Sequence, residues 1–112
     1  MQALSSGLDA TFNAITVDSD TSTSDTLLIA ATGQSPAAEP KGATLKAFEA
    51  ALHGVMHDLA LQVIRDGEGA TKFVTVEVNG GGNHQECLDV GYTVAHSPLI
   101  KTALFASDPN WG

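Results

Sequence analysis

TLKAFEAALHGVMHDLALQVIR (residues 44–65) runs directly into DGEGATKFVTVEV (residues 66–78), and the apolar period changes between the two stretches. In the first, Leu45, Phe48, Leu52, Val55, Met56, Leu59 and Val63 recur at spacings of three and four, which predicts one helix with a single apolar stripe. Thr44 stands as its expected N-cap and Gly67 as its stop. In the second, Val74, Val76 and Val78 alternate with Phe73, Thr75 and Glu77, which predicts a strand over 72–78 closed by Gly80-Gly81-Gly82.

Working outward, Asn83 and Glu86 have capping-box spacing and open a second expected helix through about His96. Ser97-Pro98 predicts a short restarted helical turn, since proline suits the first helical position. Lys101 to Phe105 is expected as a last strand, and Asp108 to Gly112 as a turn anchored by Trp111. Upstream, Gly33 to Gly42 contains Pro36, Pro40 and three alanines and reads as a surface connection. Thr26 to Thr32 is a short apolar run that suits a buried helix or a buried strand. Thr11 to Asp18 alternates with apolar content on both sides and predicts an interior strand. Residues 1–10, with Leu4 and Leu8 one repeat apart, read as the last turns of a helix. There is no internal repeat. The expected class is α/β (α+β), with helices packed on a mixed sheet. The chain divides into a first-strand region (1–33), a surface connection (34–43) and a helix–strand–helix region (44–112).

The chain has 112 residues, 43% of them apolar, which is the size and composition of one modest domain with a core. Five Lys+Arg against 13 Asp+Glu give a net charge of −8, so a basic face for nucleic acid or an anionic membrane is not available. Cys87 is the only cysteine, which rules out an internal disulfide and a four-thiolate zinc site. No apolar run reaches spanning length and the first ten residues lack a leader pattern, so a soluble, cytoplasmic chain is expected.

Four places invite chemistry. His53 and His57, with Glu49 a turn earlier, share a helix face, but Gly54 stands where a zincin carries glutamate. They lie off the apolar stripe, so a solvated face is expected there. Asp18-Ser19-Asp20-Thr21 resembles the nucleophile loop of haloacid-dehalogenase-type phosphatases, in which Asp18 attacks phosphorus, Asp20 is the general acid and magnesium is bound. The alternative is a polar connection whose short side chains satisfy nearby amides. Cys87 follows His84 by three residues but has no further partner for nucleophilic work, and reads as a half-buried helical cysteine. Gly67-Glu68-Gly69 places one carboxylate between two glycines at a helix end. That carboxylate can accept hydrogen bonds from the ammonium group of an amino-acid ligand, or can simply be a solvated glutamate past a helix stop.

Four blocks taken together are similar to one family, the ornithine acetyltransferase and N-acetylglutamate synthase family of arginine biosynthesis. FNAITVDSDTSTSDT (12–26) resembles its F-N-x-I-T-V-D-G-D-T-S-T-N-D-T block, and RDGEGATKF (65–73) its R-D-G-E-G-A-T-K block. SPLIKTA (97–103) and DPNWG (108–112) resemble S-P-L-V-K-T-A and D-P-N-W-G-R. The blocks occur in the family's order, which makes the resemblance specific. It implies an N-terminal-nucleophile-like αββα sandwich, of which this chain is the central part of a β chain. It also implies ping-pong transfer of acetyl from N-acetylornithine to glutamate on an N-terminal threonine, whose own amine serves as base. An oxyanion site completes such a centre.

The family's P-N-M-A-T-M-L cleavage run is absent, so the resemblance puts the nucleophile outside this chain and leaves no catalytic residue within it. The oxyanion residues belong to an α chain, and further asparagine and threonine contacts fall beyond Gly112. Ser19 replaces the family's glycine, Ser24 its asparagine, and His96 an asparagine. Glu68 is the residue that carries over, as the substrate-binding glutamate of the R-D-G-E-G block. Lys72 and residues 18–25 are expected to help position that site, without individual roles. The implied partners are the α chain, the remainder of the β chain and the substrates N-acetylornithine and glutamate, in a hetero-oligomer such as a heterotetramer. No cofactor or metal is implied, with acetyl-CoA as the donor in bifunctional members. The competing expectations are a truncated, non-catalytic binding or assembly module and a magnesium-dependent phosphatase using Asp18 and Asp20.

Overall fold

The computed structural model describes residues 2–110. Its elements, in chain order, are α1 (Gln2–Gly7), a 3-10 turn (Phe12–Ala14), α2 (Gly42–Arg65), α3 (His84–Ala95) and α4 (Pro98–Ala106). Among the described residues there is no strand, so the expected mixed sheet is not formed. The chain divides into two compact units, one of residues 1–15 and 21–62, the other of residues 16–20 and 63–112.

In the first unit, α1 and α2 meet where α1 ends. Gly7 is buried, and a Cβ there would lie 2.6 Å from His53 Cδ2 and 3.0 Å from Met56 Cε. Only a glycine admits this approach. Met56 and Ala60 on α2 are the buried apolar residues, and burying Met56 contributes about 1.5–3 kcal/mol. The packed face of α2 therefore runs through His53, Met56 and Ala60. Phe48, Val55, Leu59 and Val63, expected to form the core stripe, remain largely exposed. His53 is correspondingly half-buried, which corrects its expected place on a solvated face, whereas His57 is exposed. The helix starts at Gly42, so Thr44 lies within its first turn and is no cap; its amide donates to Lys41 O at 3.2 Å.

The expected strand from Thr11 breaks down through local hydrogen bonding. The Thr11 hydroxyl donates to Gly7 O at 2.6 Å, Asn13 Nδ2 donates to Asp9 at 2.9 Å, and the Asn13 amide donates to Leu8 O at 2.9 Å. Short polar side chains capture the backbone into a 3-10 turn before a ladder can begin. Residues 26–32 form no regular element, and the 34–43 stretch is connection, exposed except at the half-buried Pro40, until α2 opens at Gly42.

In the second unit, α2 ends at Arg65, a cation in the last turn where the helix dipole favours one. Residues 72–78 form no regular element, and Phe73, Val74 and Val76 are exposed. Alternation alone does not make a strand: each residue needs a neighbouring ladder for its amide and carbonyl, and none runs beside this segment among the described residues. α3 starts as expected, with Asn83 Oδ1 accepting the Glu86 amide at 3.0 Å. Glu86 Oε2 in turn accepts the amide of Gly82, one residue before the cap, at 2.8 Å. The Val78 side chain lies over Gly91 of α3, where an added Cβ would meet it at 3.7 Å.

Ser97 caps α4, accepting the Ile100 amide at 3.4 Å, with Pro98 at the helix start. From there the helix continues through Ala106, so the strand expected at Lys101–Phe105 is helical. A good cap, proline in the first turn and a leucine- and alanine-rich interior outweigh the β-branched Ile100 and Thr102. In the described part of the turn expected at 108–112, the Asn110 amide donates to Asp108 Oδ1 at 3.1 Å. The expected anchoring of Trp111 falls outside the described residues. No helix among the described residues is long and apolar enough to cross a membrane.

Candidate functional site

Glu68 sits at the tip of a tight turn that follows α2. The Ala70 amide donates to Gly67 O at 3.0 Å, and Gly69 adopts φ +70°, the left-handed region that glycine enters without steric cost. The pattern, with glycine at the third position, is that of a type II turn. It leaves the Glu68 carboxylate exposed, with backbone on either side that carries no bulk.

Two contacts brace this turn. Across its base, the Arg65 guanidinium lies 4.6 Å from the centroid of the Phe73 ring, a cation–π contact between the first residue of the block and the residue after it. Lys72 reaches to the C-terminus of α4, where its ammonium donates to Leu104 O, to Phe105 O at 3.2 Å and to Ser107 Oγ at 2.6 Å. That terminus is a Schellman motif, in which the Asp108 amide donates to Ala103 O at 2.9 Å and the Ser107 amide to Leu104 O at 3.2 Å. The Phe105 carbonyl, with no helical donor left for it, is among those the lysine takes.

The residues leading into the Asp18–Asp20 loop are tied to the same unit. Thr16 Oγ1 lies 2.8 Å from His96 Nε2, and Lys101 Nζ of α4 donates to Val17 O at 2.6 Å. Asp18 Oδ1 accepts the Asp20 amide at 2.9 Å, the short-range bond of a polar connection. Ser19 between them has φ 78°, a left-handed backbone that favours glycine. Glycine stands there in the block that this stretch resembles. Sequence reasoning missed the roles of Thr16 and Lys101 and the partners of Lys72. No local pattern predicts a bond that spans 80 residues, as Thr16 to His96 does.

Elsewhere, His53 Nε2 lies 3.0 Å from Ala3 O and 3.3 Å from Ser6 Oγ, so its ring is engaged with α1. His57 Nδ1 lies 3.9 Å from the Asp58 carboxylate. Among the described residues no group of three His, Cys, Asp or Glu side chains converges as metal ligands. Cys87 is half-buried against Gly81, as expected for a packed helical cysteine.

The sequence matches the ArgJ family along residues 1–112. This chain belongs to the ArgJ family. It is 62% identical over 109 residues to the arginine biosynthesis bifunctional protein ArgJ of Pseudomonas syringae pv. tomato, a match covering 95% of this chain and 27% of that protein. The protein of the same name from Ruegeria pomeroyi is 56% identical over 113 residues, covering 100% of this chain and 27% of its own length. The chain thus spans about a quarter of the curated relatives it matches. Among solved structures, it is similar to the ArgJ protein of Bacillus halodurans, with a TM-score of 0.85 and 44% identity over 99% of this chain and 53% of that one.

Proposed function

We propose that this chain is part of an acetyltransferase of arginine biosynthesis that moves acetyl from N-acetylornithine to glutamate, with Glu68 gripping the amino-acid part of the substrate. Membership of the ArgJ family along the whole sequence carries this reading. An exposed carboxylate at the tip of a doubly braced glycine turn supports it, because an ammonium group can approach and receive charge-assisted hydrogen bonds there. The acetyl-accepting threonine and its oxyanion donors belong to other polypeptide, the α chain and the remainder of the β chain, in a hetero-oligomer. Within it, a covalent acyl-threonine divides the transfer into two easier steps. Acetyl-CoA is the alternative donor in bifunctional members.

A second reading, a non-catalytic binding or assembly module, draws on the exposed apolar side chains Leu28, Leu99 and Phe105, which are 84%, 66% and 70% accessible.

The test is a chimera in which this segment replaces the matching region of the Pseudomonas syringae relative. The expected result is transfer from N-acetylornithine to glutamate, with acetyl trapped on a threonine outside this segment. Glu68→Gln is expected to lower kcat/KM at least about tenfold, the loss of a charge-assisted substrate contact. Acetyl found on a residue of this segment, or unchanged kinetics in the Glu68→Gln chimera, overturns the assignment. An inactive but correctly assembled chimera favours the module.

A further inference from the structure

The Glu68 turn has little hydrocarbon beneath it: no apolar residue among the described residues of its unit is fully buried, and Gly69, Ala70 and Thr71 are all exposed. A four-residue turn of this kind, with glycine at its third position, is intrinsically mobile unless something fixes its exit. Lys72 provides that fixed point. Its ammonium is the meeting place of three acceptors at one helix end, the carbonyls of Leu104 and Phe105 and the hydroxyl of Ser107. A helix C-terminus carries partial negative charge, so a cation held there is favoured on electrostatic grounds as well as by hydrogen bonding. Ser107 adds specificity, since its left-handed backbone, φ 56°, turns the chain so that the hydroxyl meets the lysine. The brace at the other end, Arg65 against Phe73, closes the base of the turn but ties it only to itself.

We propose that Lys72 is a positioning residue for Glu68. By locking the exit of the turn to the C-terminus of α4, it holds the carboxylate at a fixed place for an ammonium-bearing amino acid. The proposal rests on the reading of Glu68 as the substrate grip, yet the mechanical half stands without any ligand. Lys72 makes no contact with substrate in this account. It acts through the backbone between positions 68 and 72.

The experiment is NMR on the full 112-residue chain with Lys72→Met, Lys72→Arg, Glu68→Gln and the Lys72→Met/Glu68→Gln double variant. Without ligand, amide order parameters of residues 67–71 are expected to fall from about 0.85 to below about 0.6 in Lys72→Met, and to be retained in Lys72→Arg, with α3 unchanged. Unchanged order at 67–71 in Lys72→Met overturns the proposal. If that variant loses its fold, Ser107→Ala removes one acceptor and is expected to give a smaller loosening confined to the same residues; no loosening overturns it equally. L-glutamate titration supplies the second arm. Lys72→Met is expected to weaken binding about tenfold in the native background and not at all in the Glu68→Gln background. Equal weakening in both backgrounds means the lysine touches the ligand itself, which overturns the positioning role. Absence of any glutamate response at Glu68 in the unaltered chain removes the substrate reading, while the order parameters still decide the lysine's role.

Discussion

The Thr16 hydroxyl and His96 Nε2 lie 2.8 Å apart although the residues are 80 positions apart, and both side chains are half-buried. A bond of this kind contributes about 0.5–1.5 kcal/mol. Thr16→Val and His96→Ala are each expected to lower stability to urea by that amount. The double variant should lose less than the two single losses together. Additive losses would mean that the contact itself contributes nothing.

Gly7→Ala is expected to destabilise the junction of α1 and α2. The added methyl meets the His53 ring, which Ala3 O and Ser6 hold in place, as well as the end of Met56. Overpacking of this sort costs about 1–3 kcal/mol. Met56→Ala, which empties the same contact, is expected to cost about 2–5 kcal/mol. Circular dichroism with urea titration reads both.

Gly81→Ala places a Cβ 2.5 Å from Cys87 Sγ. The expected cost is about 1–3 kcal/mol, and Cys87→Ala should relieve most of it because the obstacle is the sulfur. A Gly81→Ala/Cys87→Ala chain as unstable as Gly81→Ala alone would place the strain in the backbone near Asn83 O instead.

Ser19→Gly should stabilise the chain by about 0.5–1 kcal/mol, because a non-glycine residue in left-handed backbone carries about 1–2 kcal/mol of strain. The position has φ 78° in this structure. A denaturation midpoint no higher than that of the parent would count against this.

The helices were legible where the signals are local. The Asn83/Glu86 cap, the Ser97-Pro98 start and the Arg65-to-Gly67 stop each depend on residues within a turn of one another. The strands were not, because alternation at 72–78 describes what the side chains suit and not whether a ladder lies alongside. The core face of α2 was misjudged for a similar reason. Seven large apolar residues mark a stripe, but the contact made is the one Gly7 admits, against His53 and Met56. At the candidate site, the exposed glycine-flanked carboxylate could be read in advance. A positioning place for Lys72 could be read as well, but its partners could not, since Leu104 and Ser107 lie more than 30 residues downstream, with separations of 32 and 35.

Lys72 ties the exit of the Glu68 turn to the end of α4 with an ammonium in solvent, where salt weakens the attraction, whereas salting-out ions would strengthen hydrocarbon packing. At about 1 M salt the Debye length shrinks to about 3 Å, and attraction between a cation and a helix terminus fades with it. The Glu68 turn is therefore expected to loosen somewhat as ionic strength rises, with the direct hydrogen bonds of Lys72 the last part of its anchorage to yield.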